Sequence, residues 1–274
     1  MANLLFGTVR AVLFELLEDE RYLGATPAFI SALHTWGRSL SLHPHLHVLI
    51  ADGGLKDGAW VKPRRSHFLP ARVVMWLFRG KLLDALRRAL ERGELRVPAH
   101  ASRERLRSML NRLGRKKWNV HIRARYAHGA GVAAYLARYL KGGPLKNTQL
   151  TEVSGEHIAF RYRPHRDEDT GEGSLLMTLT PEAFLTRYLA HVPVPRLQAV
   201  RGYGLYGQRQ SAALDRARAQ LGQPAVEEPQ PISAPQFLAR FRRTNETGCC
   251  PQCGARLVFT SLIRHGTGPP PTLH

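Results

Sequence analysis

The sequence predicts a chain of mixed helices and antiparallel strands, and three patterns carry that prediction. Residues 4–22 place apolar side chains at helical spacing on one side and acidic side chains on the other. The apolar runs 29–36 and 44–50 are separated by a short turn that contains Gly and Ser, which predicts an antiparallel pair of strands. A β-meander is predicted by three further β-like runs, at 149–153, 158–162 and 175–179.

The other elements follow from local signals in chain order. Gly24 and Pro27 end the first helix, and Asp52-Gly53-Gly54 is expected to turn the chain out of the sheet after the second strand. The remaining predictions are helices at about 70–92 and 102–115, a strand at 118–123, a helix that follows Gly129 and stops at Gly142-Gly143-Pro144, and a helix that begins at Pro181 with Thr180 as its N-cap.

The charge balance indicates a polyanionic partner. The 274 residues include 40 Lys and Arg against 21 Asp and Glu, a net charge of +19, and 43% are hydrophobic, which is enough for a sizeable core. Cations that neutralise phosphates release counterions, so nucleic acid is the favoured partner. A membrane is not expected, because no apolar run approaches a bilayer span. The N-terminus lacks a secretory signal pattern, so we expect a cytoplasmic protein that acts at the chromosome.

The composition changes after about residue 207. We interpret 1–207 as the main domain, 208–240 as a helix followed by a Pro-, Glu- and Gln-rich linker, and 241–274 as a tail. The tail holds all three cysteines, and Cys250 and Cys253 form one CxxC knuckle. A structural zinc site needs four ligands. We therefore expect the knuckle to be a remnant or a half-site, and we do not expect a complete zinc site in one chain.

Histidines on the two predicted strands are candidates for a metal site. His45 and His47 leave one face of a strand together, while Leu46 and Val48 point into the core. His34 falls on the neighbouring strand, where cross-strand side chains approach to within about 5 Å. Neutral imidazole is a ready metal ligand, although half-buried core histidines are the alternative interpretation. The neighbouring His43 is expected to be exposed.

Tyr135 and Tyr139 are four residues apart, so their hydroxyls lie on the same face of a helix. They either pack the helix onto a sheet or act as nucleophiles. A phenol oxygen beside cations suits attack on a phosphodiester, and the covalent intermediate conserves the bond energy for rejoining.

The motifs around these residues resemble a known family. The run from Leu33-His34-Thr35-Trp36-Gly37 through His43-Pro44-His45-Leu46-His47 to Gly53-Gly54-Leu55 is similar to the rolling-circle transposases of bacterial insertion sequences. These form the two-tyrosine branch of the HUH single-strand endonucleases, named for histidine, a hydrophobic residue and histidine. The run 134–139 resembles their catalytic tyrosine motif. Further similarity at 145–150, 160–163, 180–184 and 201–205 extends the resemblance over about residues 20–207.

This resemblance implies an α+β fold of the RRM or ferredoxin-like type, with a central antiparallel sheet and flanking helices. It implies a Mg²⁺ or Mn²⁺ site on His45, His47 and a third ligand, which we assign to His34 with Glu15 and Asp19 as alternatives. It also implies nicking of single-stranded DNA, or of DNA hairpins at the element ends, through a 5′-phosphotyrosine on Tyr135 or Tyr139. We expect Tyr135 to attack first, because it lies further from the helix end. The candidate phosphate contacts are Arg138, Lys141 and Lys146.

One departure from the family concerns the N-terminus. Family members usually carry an N-terminal zinc-binding domain, whereas this sequence begins almost directly at the catalytic region. A truncated, non-catalytic DNA-binding remnant is therefore one alternative, and a plasmid replication initiator or a relaxase of the same chemistry is another. The sequence leaves the choice between a monomer and a homo-oligomer open.

Overall fold

The computed structural model describes residues 1–63, 69–95, 97–98, 100–140, 142–163 and 173–225, together with 231, 233 and 236; for residues 138 and 140 it describes the backbone alone. Met1–Ala225 forms one compact unit and Val226–His274 a second. All helices and strands given below belong to the first unit. The division of the chain at 207 and 240 stays a prediction.

The first unit combines helices with antiparallel sheets, which confirms the α+β class. The described helices are α1 (Ala2–Leu17), α2 (Ala71–Glu91), α3 (Arg103–Arg115), α4 (Gly129–Leu140), α5 (Pro181–Leu189) and α6 (Ser211–Gln220), with a 3-10 turn at Asn147–Gln149. The described strands are β1 (Thr26–Trp36), β2 (Leu42–Lys56), β3 (Ala59–Val61), β4 (Leu150–Val153), β5 (Ile158–Tyr162), β6 (Leu175–Leu179) and β7 (Val200–Gly204).

The larger sheet has the strand order β3-β2-β1-β7, and each pair is antiparallel. Because side chains alternate along a strand, β1 directs Phe29 to one face and His34 to the other. The first face lies under α1 and α2, where Phe29 is fully buried. Leu46 and Val48 of β2 pack against the same core, as the sequence predicts. Burial of each large apolar side chain contributes about 1.5–3 kcal/mol.

The predicted meander forms a separate sheet in the order β4-β5-β6. Phe160 of this sheet and Phe184 of α5 form its core together with Leu40 from the turn between β1 and β2, which has 1% of its surface exposed. His191, which follows α5, binds the same turn: its Nε2 donates to the Leu40 carbonyl and its Nδ1 accepts from the Thr35 hydroxyl. The turn between β1 and β2 is thus held by the second sheet.

Most predicted elements are confirmed. The helices at 70–92, 102–115 and 181 onward correspond to α2, α3 and α5, and the Thr180 hydroxyl accepts the backbone N–H of Ala183 as an N-cap. The first helix is shorter than the predicted 4–22. It ends at Leu17, and the Asp19 carboxylate then accepts the backbone N–H of Arg21 at 2.8 Å and stabilises a turn.

The turn predicted at Asp52-Gly53-Gly54 is wrong. These residues continue β2, which runs to Lys56, and the chain turns at Asp57-Gly58. The pairing with β1 shifts here. Pro27 lies opposite Gly54 and Phe29 lies opposite Ile50, so a step of two residues along β1 corresponds to a step of four along β2. Residues 51–53, which include Gly53, therefore form a bulge inside the strand, and Gly54 is paired again, with Pro27.

The strand predicted at 118–123 is also wrong. These residues lie outside any strand, and Ile122 is 37% exposed, so the apolar alternation does not define a buried face. Trp118 is held by other contacts: its Nε1 donates to the Leu113 carbonyl at 3.0 Å and its ring packs against Phe78. The strand β7 was not predicted, since two of its five residues are glycine and it forms through pairing with β1.

We expect replacement of Gly53 by Ala to lower the free energy of unfolding by about 2–4 kcal/mol. Gly53 has a φ of +152°, and an added Cβ atom would lie 2.5 Å from the Val61 carbonyl oxygen. Gly58→Ala is the control, because Gly58 has a φ of +83° with open space around it, so only the backbone cost of about 1–2 kcal/mol remains. Urea denaturation measures both variants. Equal losses would contradict the proposed overlap with Val61.

Candidate functional site

Three histidines gather on the face of the larger sheet opposite α1 and α2. The register places His34 of β1 directly opposite His45 of β2 and Ala32 opposite His47. One ligand atom from each ring lies within 4.8 Å of the others, and Nε2 of His45 is 3.2 Å from Nε2 of His47. In the part of the chain that the structure describes, no other group of three His, Cys, Asp or Glu side chains converges in this way.

Two of these rings are oriented by backbone carbonyls. Nδ1 of His45 donates to the His43 carbonyl at 2.8 Å, and Nε2 of His34 donates to the Tyr139 carbonyl at 2.7 Å. These tautomers follow from the partners, because a carbonyl can only accept. The second nitrogen of each of these two rings then carries a lone pair. A histidine that ligates a metal typically donates its other N–H to such a carbonyl or to a carboxylate.

The helix α4 places both tyrosines beside the histidines. The ring centroid of Tyr139 is 4.1 Å from that of His47 and 6.0 Å from that of His34. Tyr135 lies further out, with its ring 6.3 Å from His47 and 4.5 Å from Tyr139. The predicted tyrosine pair and the predicted histidine cluster therefore share one site, and Tyr139 is the closer ring.

Residues 28–213, which are more than half of the chain, match a protein family described as "Putative transposase". The chain belongs to this transposase family.

Two relatives of this transposase-family chain are transposases by name. "Putative transposase y4qJ" from Sinorhizobium fredii (strain NBRC 101917 / NGR234) is 32% identical over 279 residues, which cover 98% of this chain and 69% of that protein. "Transposase for insertion sequence element IS801" from Pseudomonas savastanoi pv. phaseolicola is 27% identical over 266 residues, which cover 95% of this chain and 63% of that protein. No solved structure matches the chain.

Burial favours the neutral form of two of these imidazoles, His47 and His34, in this transposase-family chain. It lowers the pKa of His47 to about 4, and the nearby His34, His45 and Arg123 lower it further. Burial also lowers the pKa of His34, against the opposing effect of its bond to the Tyr139 carbonyl. Neutral rings with free lone pairs are the form that binds a metal.

The same environment acts on Tyr135. Burial raises the pKa of its phenol to about 12, the neighbouring Tyr139 and Tyr126 raise it further, and Arg123 opposes them. Deprotonation of Tyr135 is therefore disfavoured in the metal-free site.

Arg123 and Tyr126 are site residues that the sequence reasoning missed. Both lie on the irregular segment after α3, and Arg125 of that segment forms an ion pair with Asp52 of β2 at 2.6 Å. The Tyr126 ring lies 6.1 Å from that of Tyr135. The available signal is the alternation of cations with other residues at 121–126, of which only 121–123 belong to the predicted strand at 118–123.

A cavity of about 310 Å³ opens beside the histidine cluster and shares His34 and Tyr139 with it. Its other walls come mainly from apolar and aromatic residues, among them Trp36, Tyr188 and Val200. The His34 ring stacks on Trp36 at 4.3 Å between centroids and an angle of 18°. The aromatic walls can stack against a flat group.

The remaining predicted site residues are spread over the chain. His43 is exposed, as expected, and Lys146 is exposed at the start of the 3-10 turn. Glu15 and Asp19, the alternative third ligands, pair with Lys81 and Arg21 instead. Lys141, the side chain of Arg138, and Cys250 and Cys253 lie outside the described residues. Among the described helices, none is both long and apolar enough to cross a bilayer.

We expect the metal-free protein to lose stability as the pH falls from about 6.5 towards 4. The unfolded chain takes up a proton at His47 near pH 6.5, whereas the folded chain resists it down to a pKa of about 4, so acid favours unfolding in this window. His47→Gln should flatten the pH dependence of the free energy of unfolding in EDTA, and the exposed His100→Gln should leave it unchanged. A slope that is the same in both variants would contradict the assignment.

Proposed function

We propose that this chain nicks single-stranded DNA at the end of an insertion sequence and rejoins it through a 5′-phosphotyrosine intermediate, as in rolling-circle transposition. The observation that best supports this proposal is the contact of the Tyr139 ring with the three-histidine cluster. Membership of a transposase family supports the reaction class, and the relative named for an insertion sequence supports the substrate.

The charge and the aromatic rings support a DNA substrate with unpaired bases. A net charge of +19 favours a polyanion, and aromatic side chains provide stacking platforms for unpaired bases. Tyr126, Tyr135 and Trp36 lie around the cluster. Single-stranded DNA or hairpins at the element ends are thus the proposed partners, and the proposed activity takes place at the nucleoid in the bacterial cytoplasm.

The histidine cluster fits a divalent metal ion. Two nitrogens bound to one ion at about 2.1 Å lie about 3.0–3.4 Å apart at octahedral to tetrahedral angles, and Nε2 of His45 and His47 are separated by 3.2 Å. We propose that His34, His45 and His47 hold the ion. Of the two expected ions, three imidazoles favour Mn²⁺ over Mg²⁺, because Mg²⁺ prefers oxygen ligands and gives up its water reluctantly.

The ion, when bound, would act as a Lewis acid on a non-bridging phosphate oxygen. The residues of the chain carry out the bond exchange. The Tyr139 oxygen forms a bond to phosphorus, the bond from phosphorus to the 3′-oxygen breaks, and that oxygen leaves as a 3′-OH with the proton that the phenol gives up. One phosphodiester replaces another, so the reverse attack by a 3′-OH rejoins DNA.

We propose Tyr139 as the first nucleophile, whereas the sequence led us to expect Tyr135. Tyr139 lies closer to the histidines, and the raised pKa of Tyr135 disfavours its phenolate. Tyr135 is one helical turn away, about 6 Å along the axis, and would take the second transfer.

We expect Tyr139→Phe to abolish covalent attachment to single-stranded DNA from the element end, since phenylalanine lacks the attacking oxygen. Tyr135→Phe should still form the adduct but should impair strand transfer. Gel separation of the adduct under denaturing conditions measures both, with the exposed Tyr206→Phe as the control. An adduct in the Tyr135→Phe, Tyr139→Phe double variant would exclude the two-tyrosine mechanism.

We expect His45→Ala, His47→Ala to reduce cleavage in Mn²⁺ by at least about 100-fold, because two ligands are lost. Affinity for single-stranded DNA should change little, and calorimetry should show that Mn²⁺ binding is lost. His100→Ala, His157→Ala is the control, since both histidines are exposed. Undiminished cleavage by the first variant would contradict the assignment of the metal ligands. Absence of cleavage in the parent chain would indicate a non-catalytic remnant.

A further inference from the structure

Helix α3 carries a dense set of exposed cations. Its inner face packs through Leu110, which is buried, and through Leu113, which is half-buried. The exposed basic residues of the helix and its C-terminal end are Arg103, Arg105, Arg107, Arg112, Arg115, Lys116 and Lys117.

The outward cations of α3 are not neutralised by the rest of the described structure. Arg107 lies 3.8 Å from Glu91 of α2, on the side that faces that helix. Arg105, Arg112 and Arg115 point away from the core and form no ion pair with any described residue. Arg105 and Arg112 are two turns apart, about 10.5 Å along the axis.

The helix that presents these cations is firmly anchored. The Ser102 hydroxyl accepts the backbone N–H of Arg105 as an N-cap. At the other end, Arg79 of α2 donates to the Lys116 carbonyl at 2.6 Å, and Trp118 donates to the Leu113 carbonyl. The cations therefore form an array of fixed spacing and not a flexible basic tail.

We propose that this outward face of α3 binds the phosphates of duplex DNA, the stem of a hairpin, while the unpaired strand occupies the tyrosine site. The proposal rests on the proposed function for the position of the single strand. A rigid row of cations matches the regularly spaced phosphates of a duplex.

The composition of the two surfaces favours duplex DNA on α3 and a single strand at the tyrosine site. Residues 103–117 contain no aromatic side chain on which an unpaired base could stack. The tyrosine site has Tyr126, Tyr135, Tyr139 and Trp36 around it. Paired DNA needs phosphate contacts alone, whereas a single strand gains from stacking.

The chain itself connects the two surfaces. The segment after α3 leads from Lys117 to Arg123, whose charge acts on His47 and Tyr135. Six residues span at most about 20 Å, which is the axial length of about six base pairs. An unpaired arm that extends a stem held on α3 therefore needs to cover no more than this distance to reach the residues beside the tyrosines.

The test uses the triple variant Arg105→Gln, Arg112→Gln, Arg115→Gln of the full chain. All proteins carry Tyr135→Phe and Tyr139→Phe, so that binding is measured without cleavage. The probes are a DNA hairpin with a single-stranded arm and the same arm alone, and fluorescence anisotropy gives Kd over a range of salt concentrations. For the hairpin we expect binding about tenfold or more weaker and a salt slope smaller by about 2–3 units, since each lost phosphate contact contributes about 0.9. Affinity for the arm alone should stay within about twofold.

A matched control removes the same formal charge elsewhere. Arg21→Gln, Arg88→Gln, Arg216→Gln replaces two ion-paired arginines and an exposed one on α6, and it should bind both probes as the parent does. The charge-preserving Arg105→Lys, Arg112→Lys, Arg115→Lys should retain most of the hairpin affinity. Unchanged hairpin binding in the glutamine variant overturns the proposal, and so does an equal loss for both probes or for the control.

Failure of the proposed function gives a different result. Chains with intact tyrosines that form no covalent adduct would refute the cleavage chemistry and leave the hairpin measurement standing. Chains that cleave normally but bind the hairpin independently of α3 would refute the duplex surface alone.

Discussion

The antiparallel register of β1 and β2 is the constraint on which the site depends. It sets His34 opposite His45 and leaves His47 one diagonal away. Because side chains alternate, a slip by one residue would turn both β2 histidines into the apolar core under α1 and α2 and expose Leu46 and Val48. The bulge before Lys56 and the buried Leu40 at the opposite end of the hairpin hold that register from both sides.

A hydrogen bond from His34 to the Tyr139 carbonyl joins the sheet to the tyrosine helix. The carbonyl of Tyr139 lies in the last turn of α4, where backbone acceptors lack partners within the helix, and His34 supplies the missing donor. The same ring is stacked on Trp36, so a second contact within β1 supports its orientation. The distance between the helix and the histidines is therefore set by a polar contact and is not left to apolar packing alone.

The sequence predicted those parts of the site that depend on local periodicity. The shared face of His45 and His47 follows from a period of two, the shared face of the tyrosines follows from a helical turn, and His34 follows once two adjacent runs are paired. Features that depend on distant partners were missed. β7 forms against β1, the bulge at 51–53 arises where the pairing of β2 with β1 shifts, and Arg123 reaches the site on a segment held by Asp52. The rotation of α4 over the sheet, which decides which tyrosine is nearer, has no local signal at all.

The pairing of β1 with β7 has a consequence for the order in which the protein is made. β1 ends at Trp36 and its second neighbour begins at Val200, so about 160 further residues must be synthesised before the strand that carries His34 is enclosed on both sides. At roughly 5–20 residues per second this interval lasts about 10–30 s. During that time β1 is an edge strand with unpaired backbone groups, open to pairing with other chains. The nascent chain must therefore be protected from aggregation at the same strand that later supplies part of the metal site.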